Sequence, residues 1–348
     1  MKKILFVIVA MIMVFATRSA AYAADQKVAA APGNEKAILG VAPMAAPAVK
    51  RTAPAHVVVE LETIEKVGQL KHPLADQPMG YQFWTFNGTV PGPMIRVRVG
   101  DTVELHLTNN KASKNTHSID LHAVWGQGGG ANYTQTPAGG DTAIEFKATT
   151  PGAFIYHCAT TDIPMHIANG MYGMIVVDPE TPLPKVDHEY YIMQGEYYPA
   201  GKRGEANTKK VSLYSKTKAL DERPEYVLFN AMSDGGKLEA KTGETVRLYV
   251  GNGGPNLTSA FHVIGAIFDK VYPEGALSDP HSNVQTTVIP PGGAAVVDMK
   301  IRTAANYILV DHAINRAISK GGVAILAVAG EDKPEIYKGL KKGGPGGH

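Results

Sequence analysis

The single cysteine of the chain, Cys158, stands in a segment crowded with other metal-binding side chains. His157 directly precedes it, His166 follows eight residues later, and Met171 follows five residues after that. A thiolate, imidazoles and a thioether suit copper, in a trigonal Cys and His arrangement with a weak axial Met. Each residue alone has a plainer explanation, since a lone cysteine is often a core residue and Met171 by itself is better explained by packing. Their spacing together predicts a copper site.

This copper site needs a second imidazole from elsewhere, and His117, the first residue of the segment HSIDLH, is the candidate. Successive side chains of a strand point to opposite faces. If Cys158 points inward to the copper, His157 therefore points outward, and His122, five residues after His117, also lies on the outer face. Two outward histidines are an incomplete metal site, so a third must come from another domain or subunit. His312, in YILVDHAINRA, is the most suggestive remaining histidine.

The elements that must position these residues are strands. From His56 onward the chain consists of short alternating runs broken by Gly, Pro and Asn, which is typical of β-strands at close spacing. The period of two is plain in residues 95–99 and again in residues 103–107. There are few credible amphipathic helices, so the sequence predicts an all-β sandwich.

The strand pattern occurs twice. FNGTVPGPMIRVRVGDTVELHLTNN has a weak echo in FNAMSDGGKLEAKTGETVRLYVGNG, and the cysteine segment has one in AANYILVDHAINRAISKGGVAILAV. A chain of 348 residues also accommodates two domains more readily than one. We therefore predict a first domain at residues 56–180 and a second at residues 181–333. Opposite Cys158 the second copy has roughly Asp311, so it has lost the site that the first copy carries.

The ends of the chain predict an exported protein. Two lysines, an apolar run and a small-residue site ending at Ala23 form the layout of a secretory signal, residues 1–23. The apolar run is too short to span a bilayer, and nothing else predicts a membrane anchor. We expect residues 24–55 to be a flexible Ala- and Pro-rich arm and residues 334–348 a flexible tail. Removing the signal changes the formal charge from +2 to −1, which does not suggest a nucleic-acid partner.

The chain resembles the copper-containing nitrite reductases from about His56 to Ala329. The motifs that carry the resemblance are HSIDLHAVWGQGGG, YHCATTDIPMHIANGMYGMIVV, GNGGPNLTSAFHVIGAIFDKVY and YILVDHAINRA. The resemblance implies two tandem cupredoxin-like Greek-key β-sandwich domains, two coppers per subunit and a homotrimer. It also implies reduction of nitrite to nitric oxide in the periplasm, with electrons from a small redox protein such as a cupredoxin or a cytochrome c.

The resemblance also assigns roles to individual residues. The type 1 copper, which accepts the electron, would be held by His117, Cys158, His166 and Met171. The catalytic type 2 copper would be held by His122 and His157 of one subunit and His312 of the next. Asp120 and His262 would handle protons above that copper, and Ile264 would shape the nitrite pocket. Met165 stands where many family members have an aromatic residue before the histidine.

Two other functions compete with this interpretation. A multicopper oxidase also stacks such domains, but its trinuclear cluster needs several His-x-His pairs, and the sequence contains none. A non-catalytic blue-copper electron carrier would use only the type 1 site. It would leave a second domain that binds nothing and five residues without a purpose: His122, His157, His312, Asp120 and His262.

Overall fold

The computed structural model describes residues 34–73, 78–203, 211–231, 237–341 and 343–344. The predicted signal sequence, residues 1–23, and the first part of the predicted arm, residues 24–33, lie outside the described residues. Over the described part, strands dominate and helices are few and short, so the predicted all-β fold is confirmed.

The strands of the first half form two five-stranded sheets. They are β1 (Asn34–Lys36), β2 (Leu39–Gly40), β3 (His56–Leu70), β4 (Met79–Phe86), β5 (Met94–Arg98), β6 (Thr102–Asn109), β7 (Asp120–Leu121), β8 (Asp141–Lys147), β9 (Gly152–His157) and β10 (Tyr172–Asp178). One sheet has the order β1-β3-β6-β8, with β4 also paired to β3, and the other has the order β2-β5-β10-β9-β7. Sequence neighbours are often not spatial neighbours, as the predicted Greek-key topology requires.

The strands of the second half form a six-stranded and a five-stranded sheet. They are β11 (His188–Tyr197), β12 (Tyr226–Phe229), β13 (Leu238–Lys241), β14 (Thr245–Asn252), β15 (Ser259–Ile264), β16 (Phe268–Tyr272), β17 (His281–Val284), β18 (Thr286–Ile289), β19 (Ala294–Lys300), β20 (Ala305–Asp311) and β21 (Val323–Ala329). Their orders are β12-β11-β14-β19-β16-β17 and β13-β21-β20-β15-β18. Strands up to β10 therefore belong to the first pair of sheets, and strands from β11 onward belong to the second pair. The exact domain bounds, 56–180 and 181–333, stay a prediction.

In the described ranges, three short α-helices lie between strands: α1 (Ile163–Ala168), α2 (Lys216–Leu220) and α3 (Ile314–Lys320). The first lies between β9 and β10, begins five residues after Cys158 and contains His166. None of the helices in the described ranges has the length and apolar character needed to cross a membrane.

Each half has its own apolar core, and a third cluster joins the halves. Val59 and Val177 belong to the core of the first half, and Val250 belongs to that of the second. Met174 and Tyr249 belong to a cluster with members from both halves. Because burial of apolar area is the main stabilising contribution, this shared cluster fixes one half against the other.

The prediction of a flexible arm is wrong for residues 34–55. Strand β1 pairs in parallel with β3, and β2 pairs with β5. The following turn reaches the second half, where the Tyr191 N–H donates to the Pro43 carbonyl at 2.7 Å and Ala46 is fully buried. A Cβ on Gly40 would lie only 2.2 Å from the Ala46 nitrogen. Small side chains, which suggested flexibility, instead allow the backbone to pack closely.

Candidate metal centres

Strand β9 ends at His157, and the next residue, Cys158, points to the opposite side of the sheet. Cys158 is fully buried in the apolar core of the first half. His157 has 16% of its side chain exposed, and its imidazole faces His122 on the outside of the sheet. The alternation of an extended backbone therefore separates the two side chains although one peptide bond joins the residues.

The inner group brings together His117, Cys158 and His166. The Nδ1 atoms of the two histidines are 3.2 Å apart, and Cys158 Sγ lies 3.2 Å from His166 Nδ1. One ligand atom from each residue lies within 4.8 Å of the other two, and all three residues are buried. We call these three residues the buried cluster. Its soft sulfur and two imidazole nitrogens form the donor set expected for copper.

Backbone hydrogen bonds hold Met171 beside the buried cluster. The Met171 N–H donates to the His166 carbonyl at 3.1 Å, and the Cys158 N–H donates to the Met171 carbonyl at 3.1 Å. Met171 is fully buried and packs in the same core as Cys158. The loop between β9 and β10 thus returns the methionine to the neighbourhood of the cysteine.

Burial changes the pKa of every titratable member of the buried cluster. Desolvation lowers the pKa of His117, and it lowers the pKa of His166 to about 4, with the neighbouring His117 adding to the effect. Desolvation raises the pKa of the Cys158 thiol. The imidazoles are therefore neutral near pH 7 and able to bind a metal, whereas the thiol must lose its proton when a metal binds.

Two residues that were not predicted from the sequence, Glu65 and Trp84, contact the histidines of the buried cluster. Glu65 Oε1 lies 3.2 Å from His117 Nε2, and the Trp84 ring packs against both histidines, with centroids 5.5 Å from His117 and 4.6 Å from His166. Glu65 and Trp84 are direct cross-strand partners on β3 and β4. The alternation of β3 contained a signal for Glu65, because it places this carboxylate on the same inward face as the buried valines and leucine of that strand.

The outer group consists of Asp120, His122 and His157. The Nε2 atoms of the two histidines are 3.2 Å apart, and an Asp120 oxygen lies 3.9 Å from His157 Nε2. The other ring nitrogens have partners, since His157 Nδ1 lies 3.0 Å from the Cys158 carbonyl and His122 Nδ1 lies 3.1 Å from the Gly292 carbonyl. Both imidazoles therefore present Nε2 to one point. We call these three residues the surface cluster.

The Gly-rich loop that follows Asp120 approaches its carboxylate closely. In the 3₁₀ turn at residues 127–130, Gly128 and Gly129 have φ values of 57° and 53°. A Cβ on Gly129 would lie 1.9 Å from Asp120 Oδ1, so only glycine allows the loop to approach the carboxylate this closely. Opposite the loop, β7 pairs with β9 and places Asp120 directly beside His157.

The other predicted site residues lie in the second half of the chain. His262 and His312 have ring centroids 5.3 Å apart, and His262 Nδ1 lies 2.6 Å from the Gln285 carbonyl. Ile264 lies on the same outward face of β15 as His262. Within the described ranges, neither histidine belongs to a group of three or more potential metal ligands. One chain alone therefore does not bring His312 to the surface cluster.

Comparison with known proteins decides the family. A sequence model described as multicopper oxidase matches residues 71–182. The copper-containing nitrite reductase of Neisseria meningitidis serogroup A is 50% identical over 299 residues, which are 85% of this chain and 75% of that protein. This chain belongs to the copper-containing nitrite reductases. The family makes the chain a copper-containing oxidoreductase.

More distant nitrite reductases agree with this assignment. The copper-containing nitrite reductase of Pseudomonas chlororaphis is 32% identical over 297 residues, which are 80% of this chain and 81% of that protein. The solved structure of the copper nitrite reductase from Nitrosomonas europaea has a TM-score of 0.68 and 36% identity, and covers 80% of this chain and 96% of that one. A multicopper oxidase structure, at 21% identity and a TM-score of 0.66, shows the fold alone. The predicted pair of cupredoxin-like sandwiches is confirmed.

Proposed function

We propose that this nitrite reductase converts nitrite to nitric oxide by the balanced reaction NO2⁻ + e⁻ + 2H⁺ → NO + H2O. In this proposal the electron enters at a type 1 copper in the buried cluster, and nitrite is reduced at a type 2 copper in the surface cluster. The observation that supports it best is the pair of ligand groups on opposite sides of one peptide bond, His157–Cys158.

The residues of the buried cluster fit a type 1 copper. His117, Cys158 and His166 converge through one sulfur and two Nδ1 atoms, with Met171 held beside them. The surroundings are buried, and both imidazoles stay neutral because burial lowers the pKa of each. These donors match the His₂Cys site with a distant methionine that is used for electron transfer.

The surface cluster fits a type 2 copper once another subunit completes it. His122 and His157 present their Nε2 atoms to one point, and a three-histidine site needs one more. His312 of the partner subunit is the proposed third ligand, which requires an oligomer, and we propose the homotrimer. Two bound coppers would supply one-electron transfer and an open coordination position for the anion.

The apolar outer face of the last sheet supports this assembly. This face belongs to the sheet that contains β15, β18, β20 and β21, and it points away from the core of the second half. His262 lies on it, in β15. The apolar residues of this face are Ala260, Ile264, Val288, Ile308, Ile325 and Ala327. Val288 and Ile325 are 63% and 55% exposed in the single chain. A contiguous exposed apolar face beside an incomplete site is typical of a subunit interface.

In this proposal, side chains of the protein donate the protons and shape the nitrite pocket. We propose that Asp120, beside His157 Nε2, and His262 of the partner subunit donate the two protons that leave with the lost oxygen as water. The Gln285 carbonyl accepts a hydrogen bond from His262 Nδ1 at 2.6 Å, so Nε2 is the ring nitrogen that remains for proton transfer. Ile264 of the partner subunit, on the same face as His262, would form the apolar wall of the nitrite pocket.

The two alternative functions explain fewer of the observations. A trinuclear oxidase cluster needs His-x-His pairs, and none occurs in the sequence. An electron carrier would use the buried cluster and leave the Asp120, His122 and His157 group unexplained. A small cupredoxin or cytochrome c as electron donor and a periplasmic location belong to the proposal as well.

Substitution of His312 tests the proposal. We expect His312→Ala to lose nitric oxide formation from nitrite and one copper per subunit, while it keeps the cysteine–copper absorption of the buried cluster. His281→Ala is the matched control, because His281 is an exposed histidine in the same half of the chain. If His312→Ala reduces nitrite as fast as His281→Ala, the proposed catalytic site is wrong.

A further inference from the structure

Glu65 is a carboxylate at a core-facing position of the first sheet. Along β3 the inward positions before it are Val57, Val59, Leu61 and Thr63, all of which are buried. The Glu65 side chain is itself only 8% exposed. A carboxylate at such a position costs desolvation free energy, so it must be stabilised by hydrogen bonds.

One oxygen of Glu65 accepts those hydrogen bonds from a single loop and from one histidine. The Lys114 and Asn115 backbone N–H groups donate to Oε1 at 3.0 and 2.8 Å, and the Asn115 side-chain amide donates to it at 2.9 Å. His117 Nε2 lies 3.2 Å from the same oxygen. The loop that leads to His117 therefore fixes the carboxylate at the back of the imidazole.

The contacts of the two ring nitrogens determine which tautomer His117 adopts. Nδ1 faces His166 Nδ1 and the cysteine, where a metal needs a lone pair. The proton of the neutral ring must then be on Nε2, which donates to Glu65. Trp84 packs against the ring at 5.5 Å between centroids and restricts its rotation.

We propose that Glu65 is a positioning residue of the buried cluster, whose carboxylate fixes the tautomer of His117 and lowers the reduction potential of the copper bound there. The inference rests on the proposed type 1 assignment. A carboxylate behind a metal-binding imidazole orients the ring and makes it a stronger donor. Its negative charge also stabilises the oxidised ion more than the reduced ion, because the oxidised ion carries one more positive charge.

The first test compares Glu65→Gln with Glu60→Gln. Glutamine keeps an oxygen that accepts the His117 N–H and removes the charge. Glu60 lies on the same strand, but its side chain is 58% exposed and pairs with Lys36. In the copper-loaded enzyme, we expect Glu65→Gln to shift the ratio of reduced to oxidised type 1 copper about tenfold toward the reduced form. This corresponds to a potential about 59 mV higher. Glu60→Gln should leave the potential at the wild-type value.

A second variant should move the potential in the opposite direction. Asn115→Ala removes one neutral donor from Glu65 and leaves the charge, so the carboxylate interacts more strongly with His117. We expect a lower potential than in the wild type. A purely structural role of Glu65 does not produce shifts of opposite sign.

These outcomes separate this inference from the proposed function. If the wild-type enzyme lacks the cysteine–copper absorption, the type 1 assignment itself is wrong. If the absorption is present but Glu65→Gln keeps the potential of Glu60→Gln, the role of Glu65 is overturned. Should Glu65→Gln not accumulate as folded protein, Asn115→Ala decides, and a potential that is unchanged or higher overturns the inference.

Discussion

At the scale of single residues, burial sets the protonation states of the buried cluster before any metal binds. The same loss of hydration lowers the pKa of His117 and His166 and raises the pKa of the Cys158 thiol, because burial favours the neutral form of every group. Neutral imidazoles can bind a metal at once. The metal itself must displace the thiol proton, so copper binding at the proposed type 1 site would release this proton.

The stability of the copper-free protein should therefore depend on pH through His166. Its pKa is about 4 in the folded protein and about 6.5 when unfolded, so the unfolded state binds more protons between these values. The contribution of His166 to the free energy of unfolding is therefore fully present above about pH 6.5 and decreases by about 3 kcal/mol as the pH falls through 4. Urea unfolding of the copper-free protein at several pH values measures the loss. His166→Gln removes the titrating group, so a loss as large as that of the wild type would contradict the assignment to His166.

Gly129 should be required for activity through Asp120. At φ 53° alanine is strained, and its Cβ would lie 1.9 Å from Asp120 Oδ1, so Gly129→Ala must displace the carboxylate. Since a positioned acid typically contributes at least 100-fold, we expect nitrite reduction to fall at least about tenfold. Copper content should stay at the wild-type value. Gly126→Ala is the matched control, because the nearest atom to its Cβ is 4.0 Å away. Equal rates for the two variants would show that the loop does not position Asp120.

At the scale of elements, alternation predicted more of the site than composition did. The outward His157 and the inward Cys158 follow from a strand, and the duplicated pattern predicted that only the first half carries the thiol. Glu65 was missed although the same alternation places it inside, because acidic residues are rarely buried and alternation alone does not mark one as a functional residue. Trp84 could not be predicted, since its contact with His166 depends on the register between β3 and β4 and on the position of α1.

Composition gave the wrong prediction for residues 34–55. Alanine, glycine and proline occur in flexible linkers, but they also allow two backbones to approach closely. Arg51 donates to Asp101 Oδ1 at 2.6 Å, and the Ala45 N–H donates to the Glu189 carbonyl at 3.3 Å, so this segment is held by both halves of the chain. No local pattern indicates such contacts, because the partners are distant in sequence.

Gly40→Ala tests whether the arm contributes to stability. The added Cβ would lie 2.2 Å from the Ala46 nitrogen, and a backbone atom cannot move aside as a side chain can. We expect the free energy of unfolding to fall by about 1–3 kcal/mol in denaturant titrations. Ile38→Ala changes a side chain that is 65% exposed in the same segment and should cost less than about 0.5 kcal/mol. A detached arm would tolerate both substitutions equally.

At the scale of the whole molecule, the two halves divide the chemistry unequally. The first half contains both the buried and the surface cluster. The second half holds His122 through the Gly292 carbonyl, and it carries His262 and His312 on an outward apolar face. A sequence can indicate that a third ligand is missing. It does not specify the symmetry that supplies the ligand, because the symmetry depends on the shape of that whole face.

Val288→Glu should separate the two copper sites by breaking the proposed assembly. Val288 is 63% exposed and lies opposite Ala260, whose carbonyl accepts the His312 N–H at 2.7 Å. A carboxylate buried there without a partner would destabilise the interface by several kcal/mol. We expect sedimentation to show a single subunit and copper analysis to show one ion per subunit instead of two. Nitrite reduction should be lost and the cysteine–copper absorption retained. Val67→Glu, at a valine that is 57% exposed in the first half, should keep the proposed trimer and two copper ions per subunit. If Val288→Glu binds two coppers as a single subunit, His312 does not act across an interface, and the surface cluster must be completed within one chain.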